Sequence, residues 1–447
     1  MGGERMREDG TRGMDLFLEI REAVGSIDPW KAEHKTTRRV INRLVSIFAT
    51  QVNDPRMRGK ISYPLSEIIV LAFFAVLGGA VTFKDIEMMC TYKEKYFRKF
   101  LPLKSGIPSH DTFCRVFSLL DFDQLNDATV SFIVDAMEEL RKALKIPAAP
   151  FRQLCVDGKE SRGSGRQCNA GGNQIRNIQT LHVYSSYNGI CLKSVQIDEK
   201  SNEIPAAQQV LSMMDLRGTL VTFDAMNTQK DTVAIIISGK GHYLGGLKGN
   251  QKTLLSESEA YFTPEYLAKA EMDPQLSYRT FEKAHGQMEE CIYTIAKVKA
   301  NQRCFFSDWA GIKAVVRFDK HTEKINSSRH THEIRYYITS LDSDAHMCGK
   351  AIREHWQVEN SLHGFLDTMF CDDENSTVNR RASGNLALVK KMVLSLYKMM
   401  KPLENSKTLS DIKRGFNWAY EDILERMLSM CDKRTLRTAL EEPMEKR

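Results

Sequence analysis

The chain has no Cys-x-x-Cys pair among its ten cysteines, no apolar stretch long enough for a membrane and no strong excess of one charge. Scattered cysteines exclude a disulfide framework and read as reduced, mostly buried thiols, as in a cytoplasmic protein. The longest apolar run, Ile68 to Phe83, is interrupted by Gly78, Gly79 and Thr82 and falls short of the ~20 residues of a membrane span. It reads as a buried helix, and no membrane partner is expected. The N-terminus, MGGERMREDGTRGMD, mixes charges without an apolar signal core, so residues 1–34 are expected to form a disordered tail. A formal charge of +6 is only mildly basic, so nucleic-acid binding would have to come from local patches. No internal repeat and no coiled-coil heptad is evident.

What is present suffices for a large soluble protein. The chain has 447 residues, 42% of them hydrophobic and 27% charged, which exceeds one ordinary domain and can fill a sizeable core. Residues 35–145 carry helical spacing at 37–50, 65–80, 84–101 and 109–120. In GIPSHDTFCRVFSLL a Gly-Ile-Pro turn precedes Ser109 as N-cap and Asp111 in the first turn. With the preceding helix, this segment reads either as a helix-turn-helix or as an ordinary bundle helix. Lys95, Arg98 and Lys99 interleave with Tyr96 and Phe97, a pattern that suits phosphate contact or a solvated face.

From 150 to 250 the pattern changes to strands at 151–157, 180–187, 190–197, 218–224 and 242–247, with helices near 203–214 and 228–238. This predicts a mixed sheet with helices against it. Residues 251–345 form a β-rich insertion with short runs such as CIYTIAKV, AVVRFDK and IRYYITSL. His330 and His332 alternate there and are assigned no metal. Helix resumes near Ser343, and residues 346–402 complete the core, with a helical stretch at about 382–400 carrying Lys390, Lys391 and Lys398. Residues 403–447 read as a polar helical segment.

Three acids stand in recognisable settings: Asp157 in LCVDGKESRGSG, Asp224 in TLVTFDAMNTQKD and Glu359 in IREHWQVENSLHGFLD. The first two each end a β-type run, and the third lies on a helix. Taken singly, Asp157 also reads as a turn aspartate, and Asp224 as the acid before a helix capped by Asn227 or Thr228. At 100° per residue Glu359 shares a face with Ile352, His355, Leu362 and Leu366, inside an apolar stripe. Two aspartates and a glutamate brought to one point suit a pair of hard divalent ions about 3.5–4 Å apart, the requirement of two-metal phosphodiester chemistry. His355, Glu359 and His363 also align as a possible zinc face, although HExxH is absent.

The three motifs and much of the chain between them resemble the bacterial ISAs-type insertion-sequence transposases with a DDE triad, the group that includes the H-repeat-associated proteins. The likeness begins near DPRMRGKISYPLSEIIVLAFFAVLGG, runs through GIPSHDTFCRVFSLLD and GHYLGGLKGNQ, and ends in REHWQVENSLH and NLALVKKMVLSL. It departs where the family's LHW appears as Leu362-His363-Gly364 and its HGRIE-like segment as His285-Gly286-Gln287-Met288-Glu289. The resemblance implies an α/β fold: an RNase H-like catalytic core interrupted by the β-rich insertion and preceded by a helical, DNA-binding N-terminal domain. It implies Asp157, Asp224 and Glu359 as catalytic ligands of magnesium or manganese, and double-stranded DNA at element ends and target as partner. It also implies a homodimer or higher oligomer on DNA. Candidate DNA contacts are Lys95, Arg98 and Lys99, then Arg162, Arg166 and Arg176 in the Gly/Ser-rich loop after Asp157, Lys248, and Trp309 for stacking on a base. A catalytically reduced, DNA-binding remnant is the other reading.

Overall fold

The computed structural model describes residues 34–147, 152–167, 174–197, 201–284, 286–298, 306–325, 330–375, 379–403 and 408–436, with Leu16, Glu19, Ile20, Arg21 and Thr377 besides. Most of the tail expected over residues 1–34, His285 and the last residues of the chain lie outside them. Leu16 and Ile20 are buried in the helical core, and the Leu16 N–H donates to Tyr187 O at 3.1 Å.

The first part of the chain is helical, its longer helices being α1 (His34–Gln51), α2 (Leu65–Leu77), α3 (Phe83–Tyr92), α4 (His110–Leu119) and α5 (Phe122–Ala143). Local chemistry sets their starts. Thr82 and Asp85 close a reciprocal capping box on α3, the Ser109 side chain accepts the Thr112 N–H at α4 as expected, and Asp121 caps α5. α2 is buried along its whole length, because LSEIIVLAFFAVL leaves it no polar face.

Strands β1 (Arg152–Ser161), β2 (Ile178–Ser185) and β3 (Ile190–Ile197) follow, then α6 (Glu203–Met213), β4 (Thr219–Phe223), α7 (Lys230–Ser238) and β5 (His242–Leu247). After α8 (Lys252–Glu259) and α9 (Pro264–Glu271) come β6 (Ser277–Ala284), β7 (Gln287–Lys297), β8 (Ala314–Lys324) and β9 (His330–Thr339). The chain continues through α10 (Ala345–His355), a π-turn over Val358–His363, α11 (Gly364–Phe370), α12 (Arg380–Met400) and α13 (Leu409–Ser429).

One sheet holds all nine of these strands in the order β3-β2-β1-β4-β5-β9-β8-β7-β6. β1, β2 and β3 form an antiparallel meander, while β4 and β5 lie parallel to β1 on its other side. That arrangement is an RNase H-like core. The insertion continues the same sheet, with β9 antiparallel to β5 from Tyr336↔Leu247 to Thr339↔Leu244.

The period of two sorts the strand residues. Leu154 and Val156 join Val221, Phe223, Val315 and Ile338 in the apolar cluster on one face. Cys155 falls in the helical cluster on the other, and Asp157 follows it to that face. α12 threads the helical core, and its Lys390, Lys391 and Lys398 are buried, with Nζ donating to Phe370 O, Ser194 Oγ and Gly189 O at 3.0, 2.8 and 2.8 Å. No described helix is long and apolar enough to cross a membrane, and the described cysteines are all free.

Candidate active site

Strand pairing delivers the first two acids. β4 pairs with β1 only as far as Val156↔Phe223, so Asp157 and Asp224 emerge side by side where the two parallel strands part. On its other side Asp157 is in register with His182 of β2. The Asp224 carboxylate accepts the Asn227 N–H at 3.0 Å and the Asn227 side-chain amide at 3.3 Å. Thr228 Oγ lies 2.9 Å from Asp224 O and 2.6 Å from Gly246 O. Neither Asn227 nor Thr228 caps α7, which starts after Gln229 with no side-chain cap. Their side chains brace the aspartate loop instead. Gly245 permits this, because a Cβ there would stand 2.5 Å from the Phe223 ring and 2.8 Å from Thr228 Oγ.

Glu359 sits in the π-turn, whose wider ring is closed by the Gly364 N–H returning to Glu359 O. One extra residue per turn shifts the face predicted from 100° steps. Val358 and Leu362 are buried and Glu359 is exposed, so the acid stands outside the apolar stripe rather than within it.

The three carboxylates lie close enough for their charges to act on one another. Asp157 is pushed up to about 7, first by burial and then by the negative charges of Glu359, Asp224 and Glu203. Glu203, at the start of α6, is raised by burial and by Asp224, and the Asn227 amide eases it. Among the described residues no lysine or arginine is ion-paired with any of the four. His363 comes near one of them, with Nδ1 3.7 Å from Asp157 Oδ2. Burial, with Lys159 and Lys391 adding to it, pushes that imidazole down to about 3, so it brings no charge. Converging carboxylates without an organic cation fit hard divalent ions, whose charge would relieve the repulsion.

The zinc face does not form. His355 Nδ1 lies 3.0 Å from Thr222 Oγ, and His363 Nε2 lies 3.0 Å from His182 Nδ1, so the two rings are engaged apart from Glu359. Three ligand atoms do come within 4.8 Å of one another at Asp319, His321 and His332, on the opposite face of the sheet. Arg317 already holds both Asp319 oxygens, at 2.8 and 2.7 Å.

The family described as Transposase DDE domain matches residues 149–396, which take in all three acids. The chain belongs to the DDE transposase family. A second family, described as DDE_Tnp_1-associated, matches residues 45–133 of the helical region. The chain is 30% identical to "Putative transposase YncI" of Escherichia coli O157:H7 over 392 residues, 88% of this chain and 96% of that protein. It is likewise 30% identical to "H repeat-associated putative transposase YhhI" of Escherichia coli K12 over 325 residues, 72% of this chain and 82% of that one. A solved piggyBac transposase synaptic complex with hairpin DNA overlaps at a TM-score of 0.35 and 14% identity, covering 99% of this chain and 85% of that one.

Around the acids the transposase is held by ion pairs that no local motif announces. Lys159, buried, reaches Asp367 at 2.5 Å and Asp373 at 3.4 Å, tying β1 to α11 and the turn after it. The Arg162 N–H donates to Asp373 at 3.2 Å, while its side chain is exposed. Arg176 is exposed, with its carbonyl accepting from Arg380. The Arg166 side chain lies outside the described part. Lys248 is exposed at the end of β5, next to Asn250 and Gln251, which donate to Ala225 O and Thr228 O in the aspartate loop at 2.7 and 3.0 Å. Lys95 is exposed, Arg98 is paired with Glu94 at 2.6 Å, and Lys99 is 3.8 Å from Glu421. Tyr96 and Phe97 between them are core residues. Trp309 is only 5% exposed, packed in the apolar cluster of the sheet's far face.

Glu203 and His182 are the residues that sequence reasoning missed. In KSNEIPAAQQV the glutamate follows an Asn202 cap and passes for an acid complementing a helix N-terminus. His182 lies in a strand with no motif around it. The register Asp157↔His182 would have been the signal, and it requires the pairing of β1 with β2.

Proposed function

We propose that this transposase cuts DNA at the ends of an insertion sequence and joins the freed 3′-hydroxyl to target DNA, with Asp157, Asp224 and Glu359 as ligands of magnesium or manganese. The observation that supports this most is the convergence of those acids with no lysine or arginine ion-paired to them among the described residues. All-oxygen donors favour magnesium or manganese over zinc. When bound, such ions lower the pKa of an attacking water and stabilise charge on the leaving oxygen.

The chain's own contribution is position. Asp157 and Asp224 sit on strand ends fixed by backbone ladders, and the Asn227 and Thr228 side chains hold the Asp224 loop. Glu359 is exposed, so a DNA phosphate can reach it from solvent. Cleavage and joining are one displacement at phosphorus with water first and a DNA hydroxyl second, so a single site serves both. Arg162, Arg166, Arg176 and Lys248 are the proposed backbone contacts, since they follow β1 and β5 beside the acids. Two or more subunits would pair the element's ends.

The test replaces each acid by its amide, Asp157→Asn, Asp224→Asn and Glu359→Gln. Each keeps its size while losing the charge that holds a divalent ion. Cleavage and strand transfer on end-sequence DNA should vanish with magnesium or manganese, while DNA binding persists. Wild-type cleavage by any folded variant removes that acid from the triad. Wild-type protein that binds the ends and never cuts them is instead a DNA-binding remnant.

A further inference from the structure

We propose that Glu203 is a fourth carboxylate of the metal site, admitted from the far side of the sheet through the space that Gly158 leaves open. This rests on the triad reading above and extends it to a residue outside the three motifs.

The geometry begins at Gly158. A Cβ built on this residue would stand 2.0 Å from Glu203 Oε1 and 2.6 Å from Oε2, so the carboxylate occupies the place of a side chain. Alternation points Gly158 away from the face that carries Asp157, toward the face where Ala207, Val210 and Leu211 of α6 pack. Glu203 heads that helix and therefore approaches β1 from the opposite side. β4 stops at Phe223, opposite Val156, so no strand residue stands between β1 at Gly158 and the Asp224 loop.

Asn227 joins the two sides. Its Nδ2 lies 3.5 Å from Glu203 Oε2 and 3.3 Å from Asp224 Oδ1, so one amide group holds both carboxylates. Asn227 is fully buried, and its Oδ1 has no hydrogen-bond partner among the described residues. A buried amide oxygen left without a donor destabilises the fold unless a partner arrives. A divalent ion, or a water bound to one, is a partner that suits an amide oxygen and carboxylates together. Glu203 itself has no ion pair among the described residues, and Asp224 and Asp157 repel it. A glutamate needed only to complement the end of α6 would gain nothing from this placement. A metal ligand would.

The experiment measures manganese binding to the full-length protein by titration calorimetry, with melting temperature as a check on folding. Glu203→Gln should weaken manganese binding about 10- to 100-fold, the range for groups that support or complete a metal site. Glu203→Asp should recover part of the loss. Gly158→Ala should weaken binding in the wild-type background by pushing the carboxylate aside, and should add nothing in a Glu203→Ala background, where its methyl group fills vacated space. Asp157→Asn, Asp224→Asn and Glu359→Gln are titrated in parallel. If they lose manganese and Glu203→Gln does not, the fourth ligand is overturned while the triad stands. Equal cost of Gly158→Ala in both backgrounds overturns it as well. If none of the triad variants loses manganese, both readings fall.

Discussion

His363 Nε2 lies 3.0 Å from His182 Nδ1, and on the other edge of the same ring Nδ1 lies 3.7 Å from Asp157 Oδ2. Both imidazoles are held neutral by burial, so each has one donor and one acceptor. An ionised Asp157 can only accept, which sets His363 with Nδ1–H toward the carboxylate and Nε2 accepting from His182 Nδ1–H. At 3.7 Å the contact with the carboxylate is too long for a hydrogen bond, so the imidazole pair supports the carboxylate by packing and by presenting an N–H dipole to it. His363→Phe should lower manganese affinity or cleavage about 10- to 100-fold, as loss of such supporting contacts does. His363→Asn, which keeps a donor, should lose less. Cleavage at the wild-type rate by folded His363→Phe would show that the imidazole pair is only packing.

Asp157 also makes stability depend on pH. Its folded-state pKa, about 7, exceeds the ordinary aspartate value of 3.8, so between those pH values the folded state binds the extra proton. Stability from this group is therefore lost as pH rises through that window. The buried His182, His355 and His363, with pKa values pushed down, act with the opposite sign as pH falls. The clean measurement is a difference. Metal-free wild type should lose melting temperature relative to Asp157→Asn as pH goes from 4 to 8, and manganese should close the gap at pH 8. Parallel pH curves for the two proteins would contradict the raised carboxyl.

Gly364 is the departure from the family's LHW pattern, and it is not required by space. A Cβ there would meet only Glu359 O, at 3.4 Å. Gly364→Ala should stabilise the protein by about 0.5–1 kcal/mol in denaturant unfolding, by restricting the unfolded chain and favouring helix. A lower midpoint would mean that the π-turn itself depends on glycine.

Trp309 reads from the sequence either as a base-stacking residue or as an anchor of the insertion's own core, and its ring is buried in the apolar cluster beside Phe306. Trp309→Ala should cost about 3–5 kcal/mol of stability, the range for truncating a buried aromatic. A loss below about 1 kcal/mol combined with slow end processing would return the residue to a DNA-contacting role.

The RNase H-like core was legible because β-type runs at 151–157, 180–187, 190–197, 218–224 and 242–247 stand apart from helical spacing on either side. Asp157 and Asp224 followed, since an acid just past a strand run is visible in one dimension. The stripe around Glu359 misled, because counting at 100° per residue assumes an α-helix and the chain forms a π-turn there. Glu203 was invisible for a different reason. Its role depends on a missing side chain at Gly158 and on the early end of β4, which are facts of packing between segments. The aromatic residues among Lys95, Arg98 and Lys99 likewise turned inward, since burial of Tyr96 and Phe97 outweighs any pattern along the chain.

Because β9 hydrogen-bonds to β5, the insertion is a stiff extension of the plate that carries the acids rather than a tethered module. A force on its outer strands passes through consecutive backbone ladders into β5, and from Gly246 O through Thr228 into the Asp224 loop. Any partner that grips the outer strands thus acts on a lever whose short arm ends at Asp224. Its leverage would reach the aspartate loop through paired backbone and, at the last step, the Thr228 hydroxyl.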